Sequence, residues 1–465
     1  MKKLLATILA LVMALGLCSV SWAEEPGRTK GYKKVGAADY SELPAAPDMS
    51  GTVVEVNAAN AQYTLDGAYG SIDGKTIKFT QNITTTLILG RPTKYAGSNT
   101  KYYKDNFETE IDYAGALAVA TSGHYVRTLS GVTFTAADGV TVAGLYAVSG
   151  HIYSTKSTNE YDYVRDTGVY VDQTNTGYYG ISNLKNIRFS GITFTAKVNI
   201  ASSLEKAEVS NVSFVRCTFN IGSMGESEQA IRFYSEEPTG KVGNLKVSGC
   251  VFNECRHGVY AQDVNGVEVV GCKFDTIGYN AIAVQGNSGG TIDIRENYIT
   301  DTKDRAIRFG TIAADATVKV NNNVMVDSGN TAGELFKAET LPTGENSVSL
   351  ENNYWDGKTA EQAVVNEGVR PAKTGVTGGT FLGEVTPAML ADDVEAVKNN
   401  DGTYSVKPAE QEPVVEQPKY YYKNPSTTTD TTKGSPKTFD AGVGVYAVTA
   451  VLSVTGMAWT AKKRH

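Results

Sequence analysis

The residues best suited to chemistry lie in and around four short apolar segments, at residues 230–233, 258–261, 281–284 and 306–309. Cleaving a polysaccharide by elimination requires a base that removes the proton beside a uronate carboxylate and a cation that neutralises that carboxylate. Arg308 or Arg305 could supply the cation. Carboxylates that could hold a calcium ion for the same reaction are Asp301, Asp304 and Asp263. The sequence is therefore compatible with a lyase that uses Arg308 and these three aspartates as its catalytic residues.

Glycoside hydrolysis makes a different demand, because two carboxyl groups must lie about 5 to 9.5 Å apart on either side of the bond. The pairs that the sequence offers are Asp263 with Glu236 and Asp301 with Asp304. Neither pair is a signature of hydrolases by itself. Elimination and hydrolysis therefore stay open beside each other.

Binding without catalysis is a third possibility. The outward positions of the four segments are Arg232, Tyr260, Ala283 and Arg308. If the segments are strands on consecutive turns, the two arginines lie three strand spacings apart, about 14 Å. Cations beside aromatic rings suit flat contact with sugars, and the predicted ligand-binding residues are Arg232, Tyr260, Glu236, His257, Tyr279 and Arg305. The plain alternative is that these outward side chains are polar only because water surrounds them.

One column of residues indicates how these segments are positioned. Seven segments align on Ile192, Cys217, Cys250, Cys272, Asn297, Asn323 and Asn353, at intervals of 25, 33, 22, 25, 26 and 30 residues. A period in this range is typical of solenoids, in which each repeat is one rung. Each rung begins with an alternation of apolar and polar residues, such as Val267-Glu268-Val269. About ten residues after the column residue, four of the rungs continue into one of the apolar segments. Two or three short strands per turn predict an all-β parallel β-helix.

The column residues themselves are predicted to be structural. Cys217, Cys250 and Cys272 take the position that Asn297, Asn323 and Asn353 take later. Buried free thiols are favoured over disulfides, although rungs about 4.8 Å apart would also permit a bridge. A cysteine metal site is disfavoured because His257 stands alone. The asparagines are expected to fix tight turns and to hydrogen-bond to one another.

The turns carry a resemblance to a known family. The run NNYWDG at residues 352–357 and the recurring SGxxF and xNNxxx turns resemble the right-handed parallel β-helix repeats of the pectin-lyase-like superfamily. The resemblance covers roughly residues 50 to 360, and it implies a right-handed coil and a polysaccharide as the ligand or substrate. The polygalacturonase elements NTD, DD, GHG and RIK do not occur here as a set, and the pectate-lyase motifs are absent, so no activity is carried over.

The start of the chain predicts export. Residues 1–23 combine Lys2-Lys3, an apolar run and Ser21-Trp22-Ala23, with small residues on both sides of Trp22, which is typical of a cleaved signal peptide.

The rest of the chain divides into predicted segments. Residues 24–50 are predicted to be an N-terminal linker, and residues 51–360 the β-helix. Residues 361–408 are predicted to form a small C-terminal cap module with a short helix over residues 387–398. A disordered spacer follows at 409–434.

The end of the chain, residues 435–465, predicts an anchor. Residues 441–461 are apolar and long enough to cross a bilayer, and Lys462-Lys463-Arg464-His465 would stop transfer on the inner side. The motif Ser435, Pro436, Lys437 and Thr438 before this single transmembrane segment resembles a Gram-positive sortase signal. Phe439 stands where such signals have Gly, so sortase attachment and a plain membrane anchor both stay open.

Composition narrows the function class. The formal net charge of −7, without a dense Lys/Arg patch, argues against a nucleic-acid partner. Calcium is the one cofactor that the carboxylates leave open. Together the patterns predict an extracellular protein, anchored to the membrane or wall of a Gram-positive bacterium, that binds a polysaccharide or glycoprotein. The alternative is an anchored lyase or glycoside hydrolase that acts on a uronate-containing polysaccharide.

Overall fold

The computed structural model describes residues 43–65, 67–89, 100–104, 110–111, 123–149, 152–153, 177–202, 208–225, 228–235, 241–326, 336–356 and 374–410. All of them fall within the first of two compact units, residues 1–410. The predicted signal peptide, Glu236, all but the first two residues of the predicted spacer, and the motif Ser435 to Thr438 with its anchor lie outside the described residues. No helix among the described residues is long and apolar enough to span a bilayer.

The described chain consists almost entirely of short strands. In chain order they are β1 (Val53–Val56), β2 (Thr76–Phe79), β3 (Leu87–Leu89), β4 (Thr100–Lys104), β5 (Glu110–Ile111), β6 (Gly123–Ser130), β7 (Thr133–Ala136), β8 (Thr141–Val142), β9 (Leu145–Ser149), β10 (Ile152–Tyr153), β11 (Gly177–Ser190), β12 (Thr193–Phe194), β13 (Val198–Ser202), β14 (Glu208–Val215), β15 (Thr218–Ser223), β16 (Gln229–Ser235), β17 (Lys241–Ser248), β18 (Val251–Cys255), β19 (His257–Gln262), β20 (Asn265–Val270), β21 (Lys273–Ile277), β22 (Asn280–Gln285), β23 (Gly289–Arg295), β24 (Tyr298–Thr300), β25 (Arg305–Thr311), β26 (Thr317–Asn321), β27 (Val324–Val326), β28 (Phe336–Thr340), β29 (Val348–Ser349), β30 (Tyr354–Asp356), β31 (Gly379–Phe381), β32 (Val394–Lys398) and β33 (Tyr404–Pro408).

Most of these strands stack in three parallel ladders, and most turns of the chain contribute one strand to each ladder. The first ladder is β1, β2, β7, β11, β14, β17, β20, β23, β26 and β29. The second is β8, β12, β15, β18, β21, β24, β27 and β30. The third is β3, β9, β13, β16, β19, β22, β25 and β28. The predicted parallel β-helix architecture is confirmed.

Inward side chains of the three ladders form one continuous core. In β20, Val267 and Val269 are buried whereas Glu268 between them is partly exposed, as a period of two requires. Phe219, Phe252 and Phe274 on successive rungs of the second ladder stack at centroid distances of 4.8 and 4.6 Å. A Cβ on Gly258, at the start of a third-ladder strand, would lie 2.5 Å from Phe274. The aromatic stack therefore requires small residues where the third-ladder strands begin.

A left-handed residue makes the turn from the first ladder to the second on every rung from β11 onward. These residues have φ between 51° and 66°, and they are Gly191, Arg216, Gly249, Gly271, Glu296, Asn322 and Asn352. Each one directly precedes a residue of the sequence column. Glycine adopts this backbone without strain, and asparagine tolerates it. This turn explains the recurring SG and NN pairs in the sequence.

The column residues stack inside the coil and hydrogen-bond from rung to rung. Asn323 donates its backbone N–H and its Nδ2 to Asn353 Oδ1, at 2.9 and 3.0 Å. Its own Oδ1 accepts the backbone N–H and Nδ2 of Asn297, at 3.1 and 3.0 Å. All three asparagines are fully buried. Their amides therefore satisfy backbone groups that water cannot reach.

Thiols take the same role on the preceding rungs. The backbone N–H of Cys217 points to Cys250 Sγ at 3.4 Å, that of Cys250 to Cys272 Sγ at 3.4 Å, and that of Cys272 to Asn297 Oδ1 at 3.0 Å. These cysteines are buried and free. Burial raises the pKa of Cys250 well above its usual value, since a thiolate would be poorly solvated there. The thiols are thus placed as packing and hydrogen-bonding groups rather than as nucleophiles.

A short helix, α1 (Ala61–Leu65), lies beside the first strand of the third ladder. Gln62 Nε2 donates to the Ile88 carbonyl at 2.8 Å, and Gln62 Oε1 accepts the Ile88 N–H at 2.9 Å. The side-chain amide therefore pairs with the edge of β3 as a neighbouring strand would. Such pairing protects an edge that could otherwise recruit another chain.

The predicted helix over residues 387–398 is wrong. Residues 387–389 form a single 3-10 turn, and the chain then runs through Asp393 at φ 63° into the strand β32. Backbone pairing of β32 and β31 with β33 outweighs the local helical pattern. The resulting three-stranded sheet packs beside the second ladder, where Phe381, Val385 and Val406 meet Val324 and Tyr354.

The asparagine column should dominate the stability of its rungs. We expect Asn323→Ala to lower the free energy of unfolding by at least about 2 kcal/mol, because it removes the acceptor of the buried Asn297 N–H on the preceding rung and the side-chain hydrogen bond to Asn353 on the following one. Asn253→Ala is the matched control, since it removes one exposed hydrogen bond to Asn220. Urea unfolding followed by circular dichroism measures both variants. Equal losses in the two would contradict a special role for the buried column.

Candidate functional site

The outward face of the third ladder brings together most of the residues selected from the sequence. On adjacent strands of this ladder, Arg232 lies beside Tyr260 and Tyr260 beside Ala283. Ala283 in turn lies beside Arg308, and Arg308 beside Lys337. With strands about 4.8 Å apart, Arg232 and Arg308 are about 14 Å from each other. Cations and an aromatic ring therefore form one straight row along the coil.

The two arginines of this row are held differently. The Arg232 guanidinium lies over the Tyr234 ring, with its Cζ 4.1 Å from the ring centroid, an arrangement that is favourable for a cation. Arg308 Nη2 donates to Glu339 Oε1 at 2.6 Å. In both residues the buried Nε lacks a hydrogen-bond partner in the described structure. Each guanidinium therefore keeps donor capacity that this chain leaves unused.

Tyr260 is fixed between these arginines. Its hydroxyl donates to Gln262 Oε1 at 2.7 Å and accepts from Gln285 Nε2. The two glutamines lie two positions beyond the row, so that the ring is held along the sheet surface. Ala283, on the next rung, has a small side chain that is 1 % exposed although it points outward. The row thus has a shallow step between Tyr260 and Arg308.

His257 lies at the start of β19, behind this row. Its ring packs edge-on to Tyr260 and Tyr279 at centroid distances of 5.4 and 5.2 Å, and it is 5 % exposed. Burial and the positive charges of Arg256 and Arg308 lower its pKa to about 3, against a smaller opposing effect of a hydrogen bond with the Asn280 backbone. The imidazole is therefore neutral at physiological pH, and its Nδ1 has no partner among the described residues.

Asp304 is not a free carboxylate. It is 7 % exposed, accepts Asn280 Nδ2 at 2.7 Å and forms an ion pair with Arg305. Because its Oδ2 accepts from both the arginine and the amide and its side chain is nearly buried, Asp304 is poorly placed as a base. Tyr279 beside this group lies 4.9 Å from the Arg256 guanidinium, which is another cation packed on an aromatic ring.

Asp263 and Asp301 occupy left-handed turns, with φ of 53° and 51°. Aspartate tolerates this backbone better than most residues, so the turns account for their presence. Asp263 accepts the Asn287 N–H at 2.8 Å and Gln262 Nε2 at 3.0 Å, beyond the end of β19, whereas Asp301 precedes β25. The three aspartates chosen as calcium ligands therefore lie at opposite ends of the third-ladder strands. Across the described ranges, no group of three His, Cys, Asp or Glu side chains is arranged to hold a metal.

Several contributors were not selected from the sequence. Tyr234 and Gln262 follow Arg232 and Tyr260 by two positions, so the period of two could have identified them. Glu339 reaches Arg308 from the next strand, which only the register reveals. Glu236, which was selected, lies outside the described residues.

Comparison with protein-family models, with curated proteins and with solved structures found no match for this chain. The function is therefore inferred from the side chains of the third ladder themselves.

The buried imidazole should make stability depend on pH. The folded pKa of His257, about 3, lies below the ordinary value of 6.5, so the unfolded chain binds more protons between these values. Stability should fall as pH falls through this window, approaching about 1.4 kcal/mol per pH unit from this group. We expect His257→Gln to lose this component. Urea midpoints of both proteins between pH 7 and 5 test it, and parallel curves would contradict it.

Proposed function

We propose that the outward face of the third ladder binds an acidic glycan. The observation that carries this proposal is the distribution of buried polar atoms without hydrogen-bond partners. Six are found among the described residues, and five lie one per strand on β13, β16, β19, β22 and β25, on Asn199, Arg232, His257, Asn280 and Arg308. A buried polar group without a partner costs about 1 to 3 kcal/mol. Asn199, Arg232 and Arg308 belong to the row, whereas His257 and Asn280 lie three positions before it on their own strands. Unpartnered polar groups on five neighbouring strands support an external partner that offers donors and acceptors.

A glycan with carboxylates or other anionic groups matches the charges of the face. Arg232 and Arg308 both keep unused donor capacity, and the planar guanidinium suits paired hydrogen bonds to a carboxylate. The nearby carboxylates of Asp304 and Glu339 already form ion pairs with Arg305 and Arg308. Sugar hydroxyls supply both donors and acceptors, and Tyr260 offers an aromatic surface for the ring.

Binding is favoured over catalysis because no pair of free carboxylates accompanies the row among the residues that the structure describes. Asp304, Asp263 and Asp301 have the structural positions described above. The observation in favour of an enzyme is the neutral imidazole of His257 near Arg308, since a lyase needs a base beside a cation. A pKa of about 3 makes that imidazole a weak base, so the anchored lyase or hydrolase is our second candidate.

Arginine substitutions test the binding site. We expect Arg232→Ala and Arg308→Ala each to weaken binding of linear polygalacturonate by roughly ten- to a hundredfold, since hydrogen bonds to charged groups contribute about 1.5 to 3 kcal/mol. Lys319→Ala, on the first ladder, is the matched control. Isothermal titration of the purified full-length protein measures the affinity, with alginate, heparin and neutral glucan as further probes. No binding in the whole panel, or equal losses in all three variants, would refute the proposal.

The same mixtures separate binding from catalysis. Ultraviolet absorbance reports the unsaturated products of elimination, and reducing-end assays report hydrolysis, with and without calcium. Bound polymer that stays intact supports a binding protein. New products that disappear in Arg308→Ala would establish the enzyme instead.

We also propose that the coil is displayed outside a Gram-positive cell as a right-handed member of the pectin-lyase-like superfamily. The signal-like residues 1–23, the apolar run 441–461 and the motif Ser435 to Thr438 support this proposal. We expect that deleting residues 435–465 moves the protein from the cell surface to the medium. Fractionation with an antibody against the coil measures this change, and retention in the cytoplasm with residues 1–23 uncleaved would contradict it.

A further inference from the structure

Two partly exposed residues lie at the corner where the second ladder passes into the third, beside the row but not in it. They are Arg256, directly before β19, and Tyr279, directly before β22. The Arg256 guanidinium lies 4.9 Å from the centroid of the Tyr279 ring. On their own strands these residues stand four positions before Tyr260 and Ala283 of the row. This corner pair, Arg256 and Tyr279, is therefore displaced from the row along the strands and not along the coil axis.

One buried ring joins the corner pair to the row. His257 packs edge-on against Tyr279 and against Tyr260, at centroid distances of 5.2 and 5.4 Å. Burial and, after it, the positive charges of Arg256 and Arg308 lower the pKa of His257. Because such an effect falls with distance, a cation of the corner and a cation of the row both lie near this ring. The corner pair and the row thus form one surface that extends in two directions.

The corner pair has the chemistry of a subsite for one acidic sugar. Arg256 contacts an aromatic ring, and this contact leaves its positive charge unneutralised. A guanidinium that is stacked on a ring keeps its N–H donors, and its planar shape suits paired hydrogen bonds to a carboxylate. Tyr279 is partly exposed beside it and adds an aromatic surface with a hydroxyl group.

A ligand that contacts both the row and the corner pair has to extend in both directions. The row of Arg232, Tyr260 and Arg308 follows the coil axis from strand to strand. The corner pair instead lies to one side of Tyr260, along the strand direction. A linear polymer on the row therefore passes beside the corner pair, whereas a sugar attached to that polymer as a branch can reach it.

We propose that the third-ladder face recognises a branched acidic glycan, with the main chain along the row from Arg232 to Arg308 and an acidic branch sugar on the corner pair. This inference rests on the glycan-binding function proposed above and adds the class of glycan. The carboxylate of the branch sugar pairs with Arg256, and its ring lies against Tyr279. The branch leaves the main chain at the sugar that contacts Tyr260, because that residue of the row is the one joined to the corner.

A comparison of linear and branched oligomers tests the proposal. The probes are a linear galacturonate pentamer and pentamers that carry one uronate branch on each inner sugar in turn, titrated calorimetrically into the full-length protein. We expect one branched pentamer to bind about tenfold more tightly than the linear one, as a hydrogen-bonded charge contributes. Arg256→Ala should remove most of this advantage. Arg232→Ala should weaken both pentamers by similar factors and keep the advantage.

Lys303→Ala is the matched control for charge, since it removes an exposed cation at the same corner one turn further along the coil. It should keep the advantage of the branched pentamer. Equal affinity of linear and branched pentamers, or an advantage that survives in Arg256→Ala, would overturn the branch subsite and leave glycan binding intact. If neither the pentamers nor any polymer of the panel bound, the proposed function itself would be refuted.

The ring of Tyr279 is tested by two further variants. Tyr279→Phe keeps an aromatic ring under the Arg256 guanidinium and should retain the advantage of the branched pentamer. Tyr279→Leu removes the ring and should reduce the advantage roughly two- to fivefold, which corresponds to the loss of a partly exposed cation–π contact. Circular dichroism establishes that both variants are folded. The same ratio of affinities in both variants would contradict the role of the ring.

Discussion

The whole coil depends on one requirement, which is that buried backbone groups at each corner obtain hydrogen bonds without water. The chain turns from the first ladder to the second through a left-handed residue, and the next residue points into the core. Its side chain accepts the backbone N–H of the rung before it, as Asn323 does for Asn297. The same side chain donates to a backbone carbonyl of that preceding rung, as Asn323 Nδ2 does to Ile294. Because each column side chain both accepts and donates hydrogen bonds, it fixes one rung against the next.

The register of the functional face follows from this lock. A one-residue slip at a corner would turn every following side chain to the opposite face. Because the column fixes the corner, Arg232, Tyr260 and Arg308 lie in one row even though the intervals between rungs vary from 22 to 33 residues. Extra residues in the longer rungs are accommodated elsewhere, so the row remains straight.

The sequence alone was sufficient to predict the coil, the column and the outward row, because each follows from a periodic pattern of residue types. It did not reveal that Asp263 and Asp301 occupy left-handed turns, since a carboxylate needed by the backbone looks the same as one needed for chemistry. The ion pair between Asp304 and Arg305 and the low pKa of His257 depend on burial. Residues 394–398 became a strand because they form a hairpin with β33, which also pairs with the more remote β31. Burial and the pairing of remote segments are not local properties of a sequence.

Both the first and the third ladder carry ion pairs, so charge does not distinguish them, but buried polar atoms without hydrogen-bond partners do. On the first ladder Arg295 contacts Asp293, Glu296 and Glu268, and Glu268 also contacts Lys246. Such exposed pairs add little stability individually, yet they leave no donor in need of a partner. The third ladder instead carries five consecutive strands with an unpartnered buried polar atom. This difference among the described residues is why we propose the third-ladder face, rather than the first, as the surface for an external ligand.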